Sequence, residues 1–147
     1  MVQSVSTGVD YSLRRNALLR DFRAGLRDTN EVCDASSYLL SASYFHGETT
    51  PRRCPICRRE NLRLVHYIFG DELRSSSGQA RSRAELVALS RSHRHFDVYV
   101  VEVCRGCGWN HVIQSYAMGQ DNSTPKAATP HENRGISRPG RTGIKTQ

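Results

Sequence analysis

Four cysteines stand in two pairs of matching spacing, Cys54-Pro55-Ile56-Cys57 and Cys104-Arg105-Gly106-Cys107. Two residues between cysteines let one tight turn aim both sulfurs at a single ion, and two such turns complete the tetrahedral set of soft ligands that zinc takes. Four thiolates leave no open position for water or substrate, so this reading makes the zinc structural. Two other uses of the thiols stand beside it. A thioredoxin-like redox pair needs its first thiolate at a helix N-terminus, where the macrodipole lowers its pKa; here Arg58-Arg59-Glu60-Asn61 and a strand-like run follow instead. A rubredoxin-like iron site uses similar knuckles and would make the chain an electron carrier, zinc being favoured as the more usual occupant.

The knuckles need strands to place them. Leu62 to Phe69 leaves the first, Phe96 to Val103 returns to the second, and Trp109 to Met118 leaves it again; all are rich in β-branched and aromatic residues. This order predicts a three-stranded antiparallel zinc ribbon. The knuckles are 46 residues apart, against about 15–20 in the commoner double site. The excess, residues 70–95, is predicted to be an insertion at the far end of the hairpin, where metal geometry is indifferent to it. Gly108 follows the second knuckle where the chain turns through positive φ, a conformation glycine adopts without penalty. Arg58 holds the matching place in the first, which predicts a less regular turn.

Arginines Arg52, Arg53, Arg58, Arg59 and Arg105 crowd the knuckles. A zinc with four thiolates is formally an anion, so nearby cations stabilise it whatever the protein does; alternatively they form a basic tip that grips phosphate or an acidic protein surface. Catalysis finds no such support. None of His66, His93, His95 and His111 has a histidine partner at helical metal spacing, Asp71 and Glu72 are adjacent and point apart on a strand end, and the loop Ser75 to Gly78 lacks the glycines and lysine of a phosphate loop. The chain is therefore expected not to be an enzyme.

Residues 1–9 read as a disordered lead and residues 10–50 as a helical unit. Its first helix, capped by Asp10 and reaching Leu26, has an apolar face of Leu13, Ala17, Leu18, Phe22 and Leu26 opposite Arg14, Arg15, Arg20, Arg23 and Arg27, a face that reads as solvated, the alternative being a phosphate- or partner-binding face. A short helix around Glu31 to Ala35 and another from Ser36 to Phe45 follow. The three tempt one to see a helix-turn-helix, but Tyr38, Leu39, Leu40, Ala42, Tyr44 and Phe45 leave no basic residue to meet DNA, so the third is predicted to be a buried packing helix. Cys33 reads as a small buried hydrophobe and not as a nucleophile or fifth ligand. Thr49-Thr50-Pro51 links this unit to the ribbon of residues 51–118. Within the insertion, Asp71 to Gly78 is a polar loop, and Ser82 with Glu85 forms a capping box for a helix ending near Ser92. Residues 119–147 read as a disordered basic tail.

The 147 residues, 37% apolar, suit one domain or two small ones with a metal staple. No apolar run is long enough to span a membrane and no leader opens the chain, so neither insertion nor secretion is expected; five cysteines, four in metal spacing, fit a reducing cytoplasm. The net charge of +7 is spread over both the ribbon and the tail, and of 21 basic residues all but Lys126 and Lys145 are arginine. It favours anionic partners without naming one.

The stretches Val9-Asp10-Tyr11-Ser12-Leu13, Glu31-Val32-Cys33-Asp34-Ala35, Tyr67 to Leu73 and Val100 to His111 resemble a small actinobacterial family, a domain of unknown function. The resemblance, over roughly residues 9–118, implies a cytoplasmic zinc-ribbon protein and carries over no catalytic residue. The expectation is an α+β protein, N-terminal helices packed on the ribbon, with zinc at Cys54, Cys57, Cys104 and Cys107. It would associate with transcription or translation machinery through nucleic acid or protein, with no small-molecule substrate; the alternative is an interaction protein whose zinc only holds the fold.

Overall fold

The computed structural model describes residues 8–121, so most of the expected lead and nearly all of the expected tail lie outside the described residues. In chain order the elements are β1 (Val9–Asp10), α1 (Ser12–Arg23), α2 (Thr29–Val32), α3 (Ser37–His46), β2 (Glu48–Arg53), β3 (Asn61–Phe69), a 3-10 segment (Asp71–Ser76), β4 (Ala80–Arg81), α4 (Arg83–Ser92), β5 (Phe96–Val103) and β6 (Asn110–Met118). The architecture is α+β. The sheet has six strands, not three: its order is β1-β6-β5-β3-β2, with β4 also on β3, and every pairing is antiparallel.

Three strands escaped the sequence reading for a physical reason. Two are only two residues long, and β2 reads Glu-Thr-Thr-Pro-Arg-Arg, with no apolar alternation and a proline. Proline is tolerated there because β2 is an edge strand, and the register of β2 on β3 shifts across Pro51, between Thr49 and Arg53.

Strand β5 is buried on both faces. Tyr99, Val101 and Val103 join Val65, Tyr67 and Val112 in one core under Leu39 and Ala42 of α3. Val98 and Val100 join Ile68 and Met118 in a second core under Leu86 of α4. Covered faces explain why this strand reads as a continuous apolar run, as in a sheet with helices on both sides. The expected capping box of α4 forms: Ser82 Oγ accepts from Glu85 N at 3.3 Å, and Glu85 Oε1 accepts from Ser82 N at 2.8 Å. A second such box, Asp28 with Glu31, starts α2 at Thr29, earlier than expected.

The helical stripe of α1 holds in its middle, where Leu18 and Phe22 pack half-buried on the core, and is corrected at its ends. Leu13 is 83% exposed, Leu26 lies past the end of the helix and is 73% exposed, and Leu19 is the residue it buries. Asp10 is in β1; its carboxylate accepts from Ser12 N at 2.8 Å, while Tyr11 takes the cap position. The third helix is also not wholly a packing helix. Leu39, Ala42 and Ser43 are buried, but Tyr38, Tyr44 and Phe45 are exposed, because a helix laid on a sheet buries one side only.

Candidate metal centre

Both knuckles are hairpin connections. The first fills the turn between β2 and β3, where Arg53 pairs with Asn61, and the second fills the turn between β5 and β6, where Val103 pairs with Asn110. Since β3 and β5 pair directly, with Arg63 opposite Val103, the two turns lie side by side at one end of the sheet. The insertion is at the other end, which is why its length leaves the cysteines undisturbed.

The four sulfurs Cys54, Cys57, Cys104 and Cys107 lie within 4.8 Å of one another, a group that could hold a metal ion. Cys54 Sγ is 3.6 Å from Cys107 Sγ, and Cys57 Sγ is 3.7 Å from Cys104 Sγ. A tetrahedron with metal–sulfur bonds of about 2.3 Å has edges of about 3.8 Å. The donor set therefore fits a tetrahedral thiolate-bound ion in both chemistry and size. Backbone amides support the sulfurs, Ile56 N and Cys57 N pointing at Cys54 Sγ at 3.3 and 3.5 Å and Cys107 N at Cys104 Sγ at 3.4 Å. Without a metal, burial pushes the Cys54 thiol up and the Cys107 thiol up to about 12. Burial acts on Cys57 in the same direction, but hydrogen bonds from the backbone of Arg59 and Glu60 and from the Cys104 and Cys54 thiols outweigh it and hold Cys57 at about 6.

Cys33 packs against the core as a small apolar residue would, and it also does more. It is half-buried, and its thiol donates to Cys107 Sγ at 3.4 Å. It thus stands beside the four-sulfur group as a hydrogen-bond donor to one ligand, a position that orients and tunes a metal thiolate. The loop carrying it is pinned by Ala35 N, which donates to Gly108 O at 3.0 Å.

Glu102, one residue short of the second knuckle's entry, also went unread. It is fully buried and accepts from Trp109 Nε1 at 2.9 Å and Arg15 Nε at 2.6 Å, with Arg52 Nη1 at 3.4 Å from its other oxygen. A buried carboxylate persists only when charge and hydrogen bonds compensate it. The available signal was an acid interrupting Val-Tyr-Val-Val-Glu-Val. Arg15, placed by sequence on a solvated face, instead ties α1 to the sheet beside the knuckles.

The five arginines divide. Arg52 serves Glu102. Arg53 Nη1 donates to the carbonyls of Arg58 and Arg59, both at 3.2 Å, and so clamps the loop after the first knuckle. Arg105 lies over the Tyr44 ring, 4.8 Å from its centroid. Arg53 and Arg59 also line, with Thr49, Glu60, Asn61 and Arg63, an open cleft of about 370 Å3 beside the first knuckle. Arg63 was not singled out by sequence. The histidines do not converge on the metal group: His111 donates from Nδ1 to Val112 O at 2.6 Å and stacks on Trp109, His95 lies 3.4 Å from Asp97, His93 caps α4 at Leu89 O, and His66 is buried in the sheet. Burial, with Arg83 nearby, holds the His66 pKa below its ordinary value. Asp71 to Gly78 is mostly a 3-10 segment, whose Glu72 accepts from Arg94 N at 2.8 Å. Among the described residues, no helix is long and apolar enough to cross a membrane.

Comparison with known proteins places the chain in a family. Residues 2–132 match the model described as "Family of unknown function (DUF5318)", and the chain belongs to that family. Uncharacterised proteins of Mycobacterium tuberculosis and Mycobacterium bovis are each 44% identical to it over 138 residues, which cover 94% of this chain and 98% of the relative. The relatives are mycobacterial, consistent with the actinobacterial family that the sequence resembles. No solved structure matches.

Proposed function

We propose that this protein is a non-catalytic zinc-ribbon binding module that associates with transcription or translation machinery by contacting nucleic acid through its arginine-rich surface. The zinc is structural: four thiolates close the coordination sphere and cross-link the β2–β3 and β5–β6 turns. The observation that carries the binding reading is the open cleft at the first knuckle, lined by exposed Arg53 and Arg59 and half-buried Arg63, with Glu60 as the sole acid among the lining residues. Clustered guanidiniums on one face are the electrostatic footprint of a phosphate-binding surface.

The test is binding of the metal-loaded chain to labelled nucleic acid at rising salt. Replacing Arg53, Arg59 and Arg63 together with Gln should weaken binding and flatten the log–log salt dependence by about 0.7–0.9 for each phosphate no longer neutralised, with metal content unchanged. Absence of binding even at low salt would discard the reading. A second reading, an interaction protein that does not touch nucleic acid, is favoured by the internal duties of Arg52 and Arg53, which serve Glu102 and the knuckle loop. In that case the triple variant loses stability or metal.

A further inference from the structure

Helix α3 ends in two adjacent aromatic residues that the fold leaves outside. Tyr44 is 58% and Phe45 73% exposed, and their rings meet edge to face with centroids 5.0 Å apart. Exposed aromatic rings side by side at the end of an otherwise packed helix call for a partner. What surrounds them indicates its chemistry. Arg105, from the second knuckle, lies over the Tyr44 ring at 4.8 Å. Arg63 Nη1 donates to Ser43 O at 3.3 Å, so the residue next to Tyr44 is bonded to an arginine that also lines the cleft with Arg53 and Arg59. The aromatic pair therefore has two guanidinium sources beside it, Arg105 of the second knuckle and Arg63 of β3.

An apolar protein surface would gain from the rings but would have to bury the neighbouring arginines. A polyanion with flat apolar rings gains from both. We propose that Tyr44, Phe45 and Arg105 form a stacking platform for unpaired bases of a single-stranded nucleic acid whose phosphates lie along Arg53, Arg59 and Arg63. This deepens the nucleic-acid reading above and rests on it. Stacking on an exposed ring needs a base whose face is free, and in a duplex those faces are already covered by neighbouring bases. The planar guanidinium of Arg105 adds a second flat surface next to the first. The metal has a part in this: it holds the turn carrying Arg105 against the turn leading to Arg63, so platform and cleft keep their relative position.

The test uses the metal-loaded full chain and fluorescence anisotropy with a short labelled RNA of mixed sequence, the DNA strand of the same sequence, and the duplex of each. Single strands should bind more tightly than duplexes, and any preference between the RNA and DNA strands identifies which is the natural source. Phe45→Ala should weaken single-strand binding about 5- to 150-fold, the usual effect of losing one base–aromatic stack, with the salt slope unchanged. Phe45→Tyr, which keeps a ring, should bind like the parent. Arg63→Gln should show the reverse pattern, a slope smaller by about 0.7 with single strands still preferred over duplexes. Because Phe45 is largely exposed, the alanine variant should keep its metal and its melting temperature, and both are measured alongside. Duplex binding as tight as single-strand binding, or Phe45→Ala equal to the parent, overturns the platform while leaving electrostatic binding in place. No binding of any probe at low salt overturns both.

Discussion

The two knuckles share a cysteine spacing and differ in nearly everything around it. The leading cysteine is buried in both, but in the second the following Trp109 is fully buried, Gly108 turns the chain at φ +94°, and Gly108 lies so close to the Cys33 loop that an added Cβ would be 3.1 Å from Cys33 O. In the first, the turn residue is an exposed Arg58 at φ +59°. The backbone nevertheless closes similarly in both, Arg58 N donating to Cys54 O at 3.0 Å and Gly108 N to Cys104 O at 2.9 Å. The less regular first turn expected from Arg58 is thus a correct turn made by a less suitable residue. A left-handed L-residue costs roughly 1–2 kcal/mol. The lesson is that knuckle geometry goes with the cysteine spacing and its closing hydrogen bond, whereas the residue tolerated at the turn is decided by what packs on it: glycine where a neighbour presses close, arginine where solvent does.

The largest test of this contrast removes ligands. Cys104→Ser should abolish metal binding and cooperative folding, since structural zinc is worth on the order of 10 kcal/mol to a small domain. Cys57→Ser, at a half-buried ligand followed by an exposed turn residue, should keep weak three-thiolate binding and a lower, still cooperative melt. Metal analysis and thermal denaturation of the two variants decide it; equal behaviour would erase the asymmetry.

Acid should release the metal in a way the thiols foretell. Cys54 and Cys107, with raised pKa values, hold protons at neutral pH that the metal must displace, whereas Cys57, at about 6, is already ionised. Apparent affinity should therefore fall as pH falls, by at least about a hundredfold per unit above pH 6, and more steeply below about 6, where Cys57 adds its proton. Competition with a chromophoric chelator across pH measures the slope. A change of tenfold or less per unit would mean that the thiols are ionised before the metal arrives.

Smaller effects follow at the turns. Gly108→Ala should cost about 1–3 kcal/mol, combining a strained positive φ with the close Cys33 carbonyl. Arg58→Gly should do the opposite and stabilise by up to about 1 kcal/mol, the relief of strain being partly offset by the greater freedom of glycine in the unfolded chain. Chemical denaturation of the metal-loaded proteins measures both. Equal signs for the two changes would break the comparison.

The parts legible in the sequence are those governed by short-range rules. Cysteine spacing, the apolar runs that became β3, β5 and β6, and the Ser82–Glu85 box of α4 each carry their own local cause. The rest depends on what the chain meets after folding. Strand β2 has no apolar pattern because one side of it pairs with β3 and little of it is covered. The stripe of α1 was drawn too long because Leu13 and Leu26 have helical spacing yet stay exposed, while Leu18 and Phe22 pack, and Arg15 had a buried acid to reach. Cys33 is 74 residues from Cys107, and no local pattern links them. The exposure of Tyr44 and Phe45 follows from which side of α3 meets the sheet, a choice that a helix without Arg, Lys, Asp or Glu to mark its solvent side leaves open.

The placement of the knuckles in two separate hairpins also bears on how the chain assembles. The β5–β6 hairpin and its two sulfurs are local, closed by a turn of a few residues, and such pairings form early because little chain entropy is lost. Joining that hairpin to the first knuckle means closing the 46-residue segment through the β3–β5 register. Metal captured by the local pair raises the effective concentration of the distant one. Refolding with metal present should accordingly outpace refolding followed by metal addition, and the ion would then act as a folding template as well as a staple.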